Sequence, residues 1–427
     1  MPSPILPPEL VEAIIDEVGL LNDTKTLRAC ALVASTFVFH SQSHLFRSID
    51  LDRHVPRRKY YDRFHRLLVG KPHLGTYVRH LRLGDDSEDD DEVGWGRSRG
   101  RGAGSWITNA MTLPQTLLLL PRLEGFALTF NSEMTHWKSI REETHTAFDH
   151  LFRLPSLQFV SLEFISDFPP LLLLSLVGRL RCLGLSCVEI DASADAAAML
   201  ASYISSANQI QWESHLHSLF LRGTSPPTIQ AISQALAKVS PPSLQQISIT
   251  PTFEHGFCDA ISDLMKSSGS NVTSFEWLPS IHFCSSVGPI NLAAAPRLRS
   301  LRFIVSFRQT HAHGPFPEVL RLLSQASMHL NHVETVVIDC HCIRPVEDKA
   351  RRAEWHPLDK MLSRRGFGRL RDVKIVLSTS TSAVGERQKL VSSFQDLLPG
   401  VERKGGLISV HTRVDKDERF LIESFGA

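Results

Sequence analysis

From residue 78 onward, apolar residues recur at positions 1, 4 and 6 of a short pattern that is repeated ten times. Alternate side chains of a strand share one face, so the second and third apolar residues of each copy predict a strand facing a core. The copies are Val78-Leu81-Leu83, Leu123-Phe126-Leu128, Leu157-Val160-Leu162, Leu180-Leu183-Leu185, Leu216-Leu219-Leu221, Leu244-Ile247-Ile249, Val272-Phe275-Trp277, Leu298-Leu301-Phe303, Val333-Val336-Ile338 and Leu370-Val373-Ile375.

Helix-like stretches lie between the copies: "DAAAMLASYISSA", "TIQAISQALAKV", "FCDAISDLMKSS" and "FPEVLRLLSQASMHL". In the second stretch, one helix face carries Ile229, Ile232, Leu236 and Val239. Strand and helix in alternation predict an α/β chain with parallel strands and right-handed crossovers. The final stretch, from residue 401, alternates enough to add terminal strands at the open edge of the sheet.

This alternation is typical of a leucine-rich-repeat solenoid, made irregular by copies that begin 23 to 45 residues apart. Three residues beyond each copy, where regular repeats carry Asn, seven of the ten residues bond readily to local backbone: Asp86, Asn131, Thr224, Thr252, Ser280, Ser306 and Ser378. The alternative is a doubly wound α/β domain, which would use longer, more uniformly apolar strands and a phosphate-binding Gly turn. We therefore predict an irregular right-handed α/β leucine-rich-repeat solenoid over residues 50–427.

The first fifty residues predict three short helices. Pro7 and Pro8 suit a helix start, and Gly19 is predicted to end that helix. Its apolar residues recur every four positions, at Leu10, Ile14 and Val18, with Ile15 beside them. Caps for the next two helices are Asn22-Asp23-Thr24, before residues 25–33, and Ser35 or Thr36, before a helix that runs to about Phe46. So small a bundle buries little surface, so its spare apolar side chains are expected to face a second surface.

The spacing in this region resembles the F-box, the motif that docks substrate receptors onto the Skp adaptor of SCF-type ubiquitin ligases. Leu6-Pro7 with "ELVEAII" looks like its LP-x-E-(L/I)-x-x-x-I-(I/L) opening, "TLRACALVASTF" like its (T/S)LRACxLVCxxW middle, and "HLFRSIDL" like its exit. Ala34 stands where Cys is usual and Phe37 where Trp is usual, which loosens packing rather than reversing it. The resemblance implies an F-box over residues 4–49. Its bundle core and adaptor face would be divided among Leu6, Pro7, Leu10, Ile14, Ile15, Leu27, Leu32, Val33 and Phe37.

The resemblance further implies that the chain is the substrate receptor of such a ligase, reaching a cullin scaffold through the adaptor and binding a protein substrate with its solenoid. The substrate would contact outward strand positions, for which the candidates are Arg82, Phe220, Glu276, Arg302 and Lys374. An alternative is a leucine-rich-repeat scaffold without any ligase, whose N-terminal helices simply cover the end of the solenoid.

Composition limits the functional classes and the cellular compartments expected for this protein. A formal charge of +1 argues against a dedicated nucleic-acid or membrane-surface binder. The seven Cys are scattered and odd in number, as expected for reduced thiols, so we expect a cytoplasmic or nuclear protein. No apolar run approaches the roughly 18 residues that span a bilayer, so we expect a soluble chain.

At 85–104, an acidic run followed by Gly and Arg predicts an unpacked insertion. Its "RSRGRG" piece has the charge to contact RNA, but the neighbouring acids offset that charge.

Sequence motifs do not indicate an enzyme. The chain has no G-x-S-x-G, H-E-x-x-H or G-x-x-x-x-G-K-(S/T) motif, so we expect no catalytic residue and no cofactor. The best metal candidate is Cys340-His341-Cys342 with His332, or with His311 and His313. Two soft ligands do not make a zinc site, so we expect no metal and interpret these Cys as buried strand residues. Trp277 is likewise predicted to belong to the core.

Overall fold

The computed structural model describes residues 7–21, 23–52, 57–85, 105–130, 134–206, 214–238, 243–252, 254–278, 290, 292–306, 316–326, 332–341, 348–379, 388, 391–392, 394 and 397–414. The chain is an α/β protein with parallel strands. It divides into two compact units, Met1–Phe168 and Pro169–Ala427. The division predicted at residue 50, between the N-terminal helices and the rest of the chain, stays a prediction.

Three helices form at the N-terminus as predicted: α1 (Pro8–Leu20), α2 (Thr24–Val33) and α3 (Ser35–Leu45). The prediction that Gly19 ends α1 is wrong, since the helix continues to Leu20. Gly19 is needed for another reason. A Cβ atom at this position would overlap the His44 ring, so the glycine lets α3 approach α1 closely.

The caps of α2 and α3 differ. Asp23 caps α2 as predicted: its carboxylate accepts the Thr26 backbone N–H at 3.0 Å and the Thr26 hydroxyl at 2.6 Å. These hydrogen bonds lower the pKa of Asp23, that of the Thr26 hydroxyl contributing most. The prediction that Ser35 or Thr36 caps α3 is wrong, because the extended residue Ala34 precedes the helix and Ser35 is already helical.

The rest of the first unit pairs its strands in the order β1-β2-β3-β5, with β4 on β5. The elements are β1 (Ser48–Asp50), α4 (Arg57–Gly70), β2 (His80–Gly84), α5 (Trp106–Asn109), α6 (Leu113–Leu118), β3 (Gly125–Thr129), β4 (Thr135–His136), α7 (Glu142–Phe152) and β5 (Phe159–Phe168). Residues 86–104 of the predicted insertion lie outside the described residues.

The second unit pairs its strands in chain order from β6 to β13. Its elements are α8 (Pro170–Arg179), β6 (Cys182–Ile190), α9 (Ala194–Ser206), β7 (Ser218–Arg222), α10 (Pro226–Leu236), β8 (Gln246–Thr250), α11 (Phe257–Ser268), β9 (Ser274–Trp277), β10 (Ser300–Ser306), α12 (Pro317–Ala326), β11 (Thr335–His341), α13 (Asp348–Leu362), β12 (Asp372–Thr379), α14 (Pro399–Arg403) and β13 (Leu407–Val414). Its strand order does not reverse within the described strands, whereas a doubly wound domain requires a reversal. The four stretches predicted as helices are confirmed over most of their described residues, while residues 207, 239 and 327–330 of them lie outside the described ranges. β13 is a strand at the end of the sheet, as expected.

The repeated pattern builds the core. Every one of its ten copies is a strand, and its second and third apolar residues are at most 2% exposed. Register explains this burial, since Phe275, Leu301 and Val336 lie side by side on adjacent strands and fill one layer. On α10, Ile229, Ile232 and Leu236 are buried as predicted, while Val239 lies outside the described residues. Trp277 is confirmed as a core residue.

Three of the described strands, β1, β4 and β13, are not copies of the pattern. β1 and β4 are too short to show an alternation, and β13 belongs to the final stretch that was predicted separately. Over the described ranges, no helix combines the length and apolar character needed to cross a membrane.

Candidate docking surface

Helix α1 carries two apolar stripes, and only one of them faces the bundle. Val11 and Ile15 are buried with Leu27 of α2, at 7%, 2% and 2% exposure. Leu10 and Ile14, one turn apart, are 52% and 54% exposed. The inner stripe therefore holds the bundle together, and the outer stripe is left exposed.

Further apolar side chains are exposed where α1 and α2 end. Leu32 and Val33, the last two residues of α2, are 88% and 72% exposed. Leu20 and Leu21, at the end of α1, are 74% and 78% exposed. The helical period did not single out Leu20 and Leu21, which sit beyond the point where the helix was expected to stop. We call Leu10, Ile14, Leu20, Leu21, Leu32 and Val33 the apolar surface of the N-terminal helices.

The residues implied by the F-box resemblance thus separate into two groups. Ile15 and Leu27 are core residues, and Phe37 packs half-buried against them. The exposed members are Pro7, Leu10, Ile14, Leu32 and Val33. Leu6 lies outside the described residues.

Two histidine–carboxylate contacts link α3 to α1. His40 Nε2 lies 3.0 Å from Glu12 Oε1, and His44 Nε2 lies 2.7 Å from Asp16 Oδ1. Both partners on each helix are four residues apart, so the contacts repeat once per helical turn. The bundle is closed by these pairs and by its small apolar core without using the outer stripe.

An apolar surface of this kind is costly in water. Full burial of one Leu, Ile or Val side chain is worth about 1.5–3 kcal/mol. Several such side chains in one small bundle would together give a partner a substantial part of its binding free energy. Monomeric proteins rarely leave so many large apolar side chains exposed in one small element.

The predicted substrate residues lie on the sheet face opposite the core. In the second unit one register row crosses adjacent strands and carries Phe220, Ser248, Glu276, Arg302, Val337 and Lys374. Register thus brings four of the five candidates into one line across the sheet. Arg82 lies on β2 of the first unit, opposite Asp50 and Ala127 of the neighbouring strands.

Glu276 and Arg302 belong to a polar network that crosses four strands. Arg302 Nη1 lies 3.4 Å from Glu276 Oε1, and its Nη2 lies 2.9 Å from Asp339 Oδ2. The hydroxyl of Ser378 donates to Asp339 Oδ1 at 3.2 Å. Burial opposes the charge of the Arg302 guanidinium, but the hydrogen bond to Asp339 and the two carboxylates outweigh it, so the pKa of Arg302 is raised. Arg302 is held by its neighbours and is only partly available to a ligand.

The other three candidates differ in how open they are. Phe220 is only 8% exposed. Arg82 Nη2 lies 2.9 Å from the buried carboxylate of Asp52, which also pairs with Arg57. Lys374 is exposed, and its Nζ lies 3.3 Å from Asp372 Oδ2. Lys374 is therefore the most accessible of the five side chains.

One Ser-His-Asp group that the sequence did not reveal forms between β4 and β5. His136 Nδ1 lies 2.8 Å from Asp167 Oδ2 and 3.0 Å from Ser166 Oγ. A catalytic triad uses both ring nitrogens, one for the serine and the other for the carboxylate. Both contacts here are made by the same nitrogen, so the serine is not activated as a nucleophile by this arrangement.

The cysteines give no metal centre in the described residues, where no group of three or more His, Cys, Asp or Glu side chains could hold an ion. Cys340 is fully buried on the core side of β11, and Cys342 lies outside the described residues. Burial raises the pKa of the Cys182 thiol to about 12, so that thiol stays protonated at neutral pH.

No protein-family model matches this chain, and no curated protein is significantly similar to it in sequence.

Proposed function

We propose that this chain is the substrate receptor of an SCF-type ubiquitin ligase, in which the N-terminal helices are an F-box that docks to the Skp adaptor. The observation that carries the proposal is the exposure of Leu10 and Ile14 on a bundle whose own core is already complete. These two residues occupy apolar positions of the motif that the sequence resembles. Their exposure supports a docking role because the fold of the bundle does not need them.

The remainder of the chain would be an irregular leucine-rich-repeat solenoid that binds a protein substrate. Parallel strands in chain order, alternating with helices, support this assignment. The sheet face that carries Lys374 and the Glu276–Arg302–Asp339 network is the candidate contact surface. The chain would carry out no bond chemistry, and would instead raise the concentration of the substrate near a ubiquitin-charged enzyme held by the cullin scaffold.

The test is a charge substitution on the exposed stripe. Leu10→Asp combined with Ile14→Asp is expected to abolish co-purification with the adaptor, because a carboxylate pressed against an apolar partner surface loses its hydration. The variant should fold, since both side chains are about half exposed in the free protein. Circular dichroism of the full chain is expected to remain unchanged.

A matched control places the same change elsewhere in the first unit. Val69 of α4 and Leu118 of α6 are 56% and 55% exposed, close to the values for Leu10 and Ile14. Val69→Asp combined with Leu118→Asp should leave adaptor binding intact. Normal adaptor binding by the Leu10/Ile14 variant would rule out this docking face. Equal loss in both variants would show that the effect is not specific to the surface.

A scaffold without ligase association remains the alternative to test. The scaffold hypothesis assumes the same exposed apolar surface. It predicts that neither adaptor nor cullin is recovered when the wild-type chain is pulled down from a cell lysate. Recovery of both proteins, lost on Leu10→Asp with Ile14→Asp, would favour the ligase.

A further inference from the structure

The second unit carries a row of arginines at the edge of the sheet where strands begin. In a parallel sheet the N-terminal ends of all strands lie at the same edge. The segments that enter β9 to β13 are residues 269–273, 295–299, 332–334, 363–371 and 404–406, and they contain seven Lys and Arg residues against one acid, Glu334. Six of the cations are exposed arginines: Arg297, Arg299, Arg364, Arg365, Arg369 and Arg371. We call these six the arginine edge.

Backbone hydrogen bonds fix the spacing of this edge. Glu334 N–H donates to the Arg299 carbonyl at 2.8 Å, and Arg371 N–H donates to the Glu334 carbonyl at 2.9 Å. Arg299 and Arg371 are therefore two strands apart, about 10 Å at ordinary strand spacing. Lys404 adds a further cation, since its Nζ donates to the Arg364 carbonyl at 2.7 Å.

Within the described part of the chain, the edge carries an excess of positive charge, with one carboxylate, that of Glu334, in the register row between Arg299 and Arg371. No described carboxylate forms an ion pair with any of the six guanidinium groups. Their observed side-chain contacts are to groups other than carboxylates, such as Arg297 Nη1 to Asn271 Oδ1 at 2.8 Å and Arg369 Nη1 to His332 Nδ1 at 3.1 Å. Like charges this close lie within the Debye length of about 8–10 Å and repel one another until an anion neutralises them.

We propose that the arginine edge is a docking site for an extended acidic segment of a partner protein. The planar guanidinium pairs with a carboxylate through two parallel hydrogen bonds, which favours Arg over Lys at such a site. An extended peptide rises about 3.3 Å per residue, so acids three positions apart match the interval from Arg299 to Arg371. The net charge of +1 for the whole chain does not show this local excess of positive charge, because many of the acidic residues lie in other parts of the sequence.

The composition of the edge favours a peptide over nucleic acid. Sites for single-stranded nucleic acid combine basic side chains with exposed aromatic rings on which bases stack. The aromatic residue among the arginines, Phe367, is buried at 2% exposure and offers no such platform. This proposal is independent of adaptor docking, because it concerns the second unit and is tested without adaptor.

The test measures binding of a fluorescent peptide of about twelve residues, with Glu at every third position, to the full-length chain by anisotropy. Binding is expected for the Glu peptide and not for its Gln counterpart, and it should weaken as salt is raised from about 50 to about 500 mM. Arg369→Glu combined with Arg371→Glu is expected to weaken binding by about tenfold or more.

Two further variants make the result specific. Lys71→Glu with Arg122→Glu changes the same charge at exposed positions of the first unit, and should bind the peptide like the wild type. Arg364→Glu with Arg365→Glu provides an independent test of the edge, should the first pair fail to fold. Unchanged affinity in a folded edge variant, or no binding of the Glu peptide by the wild type, would overturn the proposal. So would tighter binding of a single-stranded RNA of equal charge that is lost in the same variants.

Discussion

At the scale of residues, the N-terminal helix shows why periodicity alone cannot assign a docking face. Leu10, Ile14 and Val18 form one helical series, and Val11 with Ile15 forms another beside it. Both series satisfy the helical repeat, and which one faces inward depends on where α2 and α3 pack. The bundle core takes Val11 and Ile15, and Val18 packs partly buried against them, so only the three-dimensional structure reveals that Leu10 and Ile14 remain outside.

The sequence suggested that Gly19 is present to end a helix, whereas the structure shows that it is needed because a side chain there would overlap the His44 ring. We predict that Gly19→Ala destabilises the first unit by about 1–3 kcal/mol, since the added methyl group must displace the His44 ring. The displacement would also break the contact of His44 with Asp16. Urea denaturation of the full chain measures the change.

Gly70, the last residue of α4, provides the matched control. A Cβ atom there meets no other atom within 4 Å, so Gly70→Ala should be neutral or slightly stabilising. Equal stability of the Gly19→Ala and Gly70→Ala variants would show that the close approach of His44 to α1 does not contribute to the free energy of unfolding.

At the scale of elements, regular strands were predictable and their cross-strand partners were not. Each strand of the repeated pattern could be located because two core positions alternate with outward ones. The network of Glu276, Arg302 and Asp339 depends on register between β9, β10 and β11, which no local pattern specifies. Outward orientation was therefore predictable, whereas the ion pairs that restrict Arg302 were not.

Asp359 illustrates a long-range contact of the same kind. This buried side chain of α13 accepts the backbone N–H groups of Gly400 at 2.9 Å and Val401 at 3.1 Å, and so caps α14 from another helix. Asp359→Ala would remove the carboxylate acceptor of the Gly400 N–H and leave the Val401 N–H with the Leu398 carbonyl alone, so we expect a loss of about 1–3 kcal/mol. Asp359→Asn keeps one acceptor oxygen and should lose less.

Hydrogen exchange followed by mass spectrometry checks this prediction locally. Protection of the segment 397–406 should fall in Asp359→Ala, while segment 244–252 around β8 should keep its protection. Unchanged exchange in 397–406 would contradict the capping role.

At the scale of the whole molecule, the sequence gives the class of fold and not the division into units. The pattern runs through both units without a change in composition, so it contains no signal for the boundary at residue 168. Composition predicts an unpacked insertion at 85–104, but it could not predict the contacts between the described residues on either side of residues 86–104. Asp85 Oδ1 accepts the Trp106 backbone N–H at 3.0 Å, and Trp106 Nε1 donates to the Gly84 carbonyl at 3.2 Å.

These contacts predict that residues 86–104 are dispensable for folding. Replacing them with a short Gly-Ser linker should leave the midpoint of thermal unfolding nearly unchanged, because Asp85 and Trp106 still hold the ends together. Trp106→Ala in the intact chain should instead cost about 3–5 kcal/mol, since it removes a buried ring that packs on Tyr61. A large drop in the midpoint for the linker variant would contradict this prediction.

The unbroken chain order of strands β6 to β13 has a consequence for how such a protein changes over generations. A gene duplication that copied one strand with its helix would add one strand to the sheet. The other strands would keep the order in which they pair. The sheet could then lengthen or shorten by one strand and helix at a time while the existing strands kept their pairing.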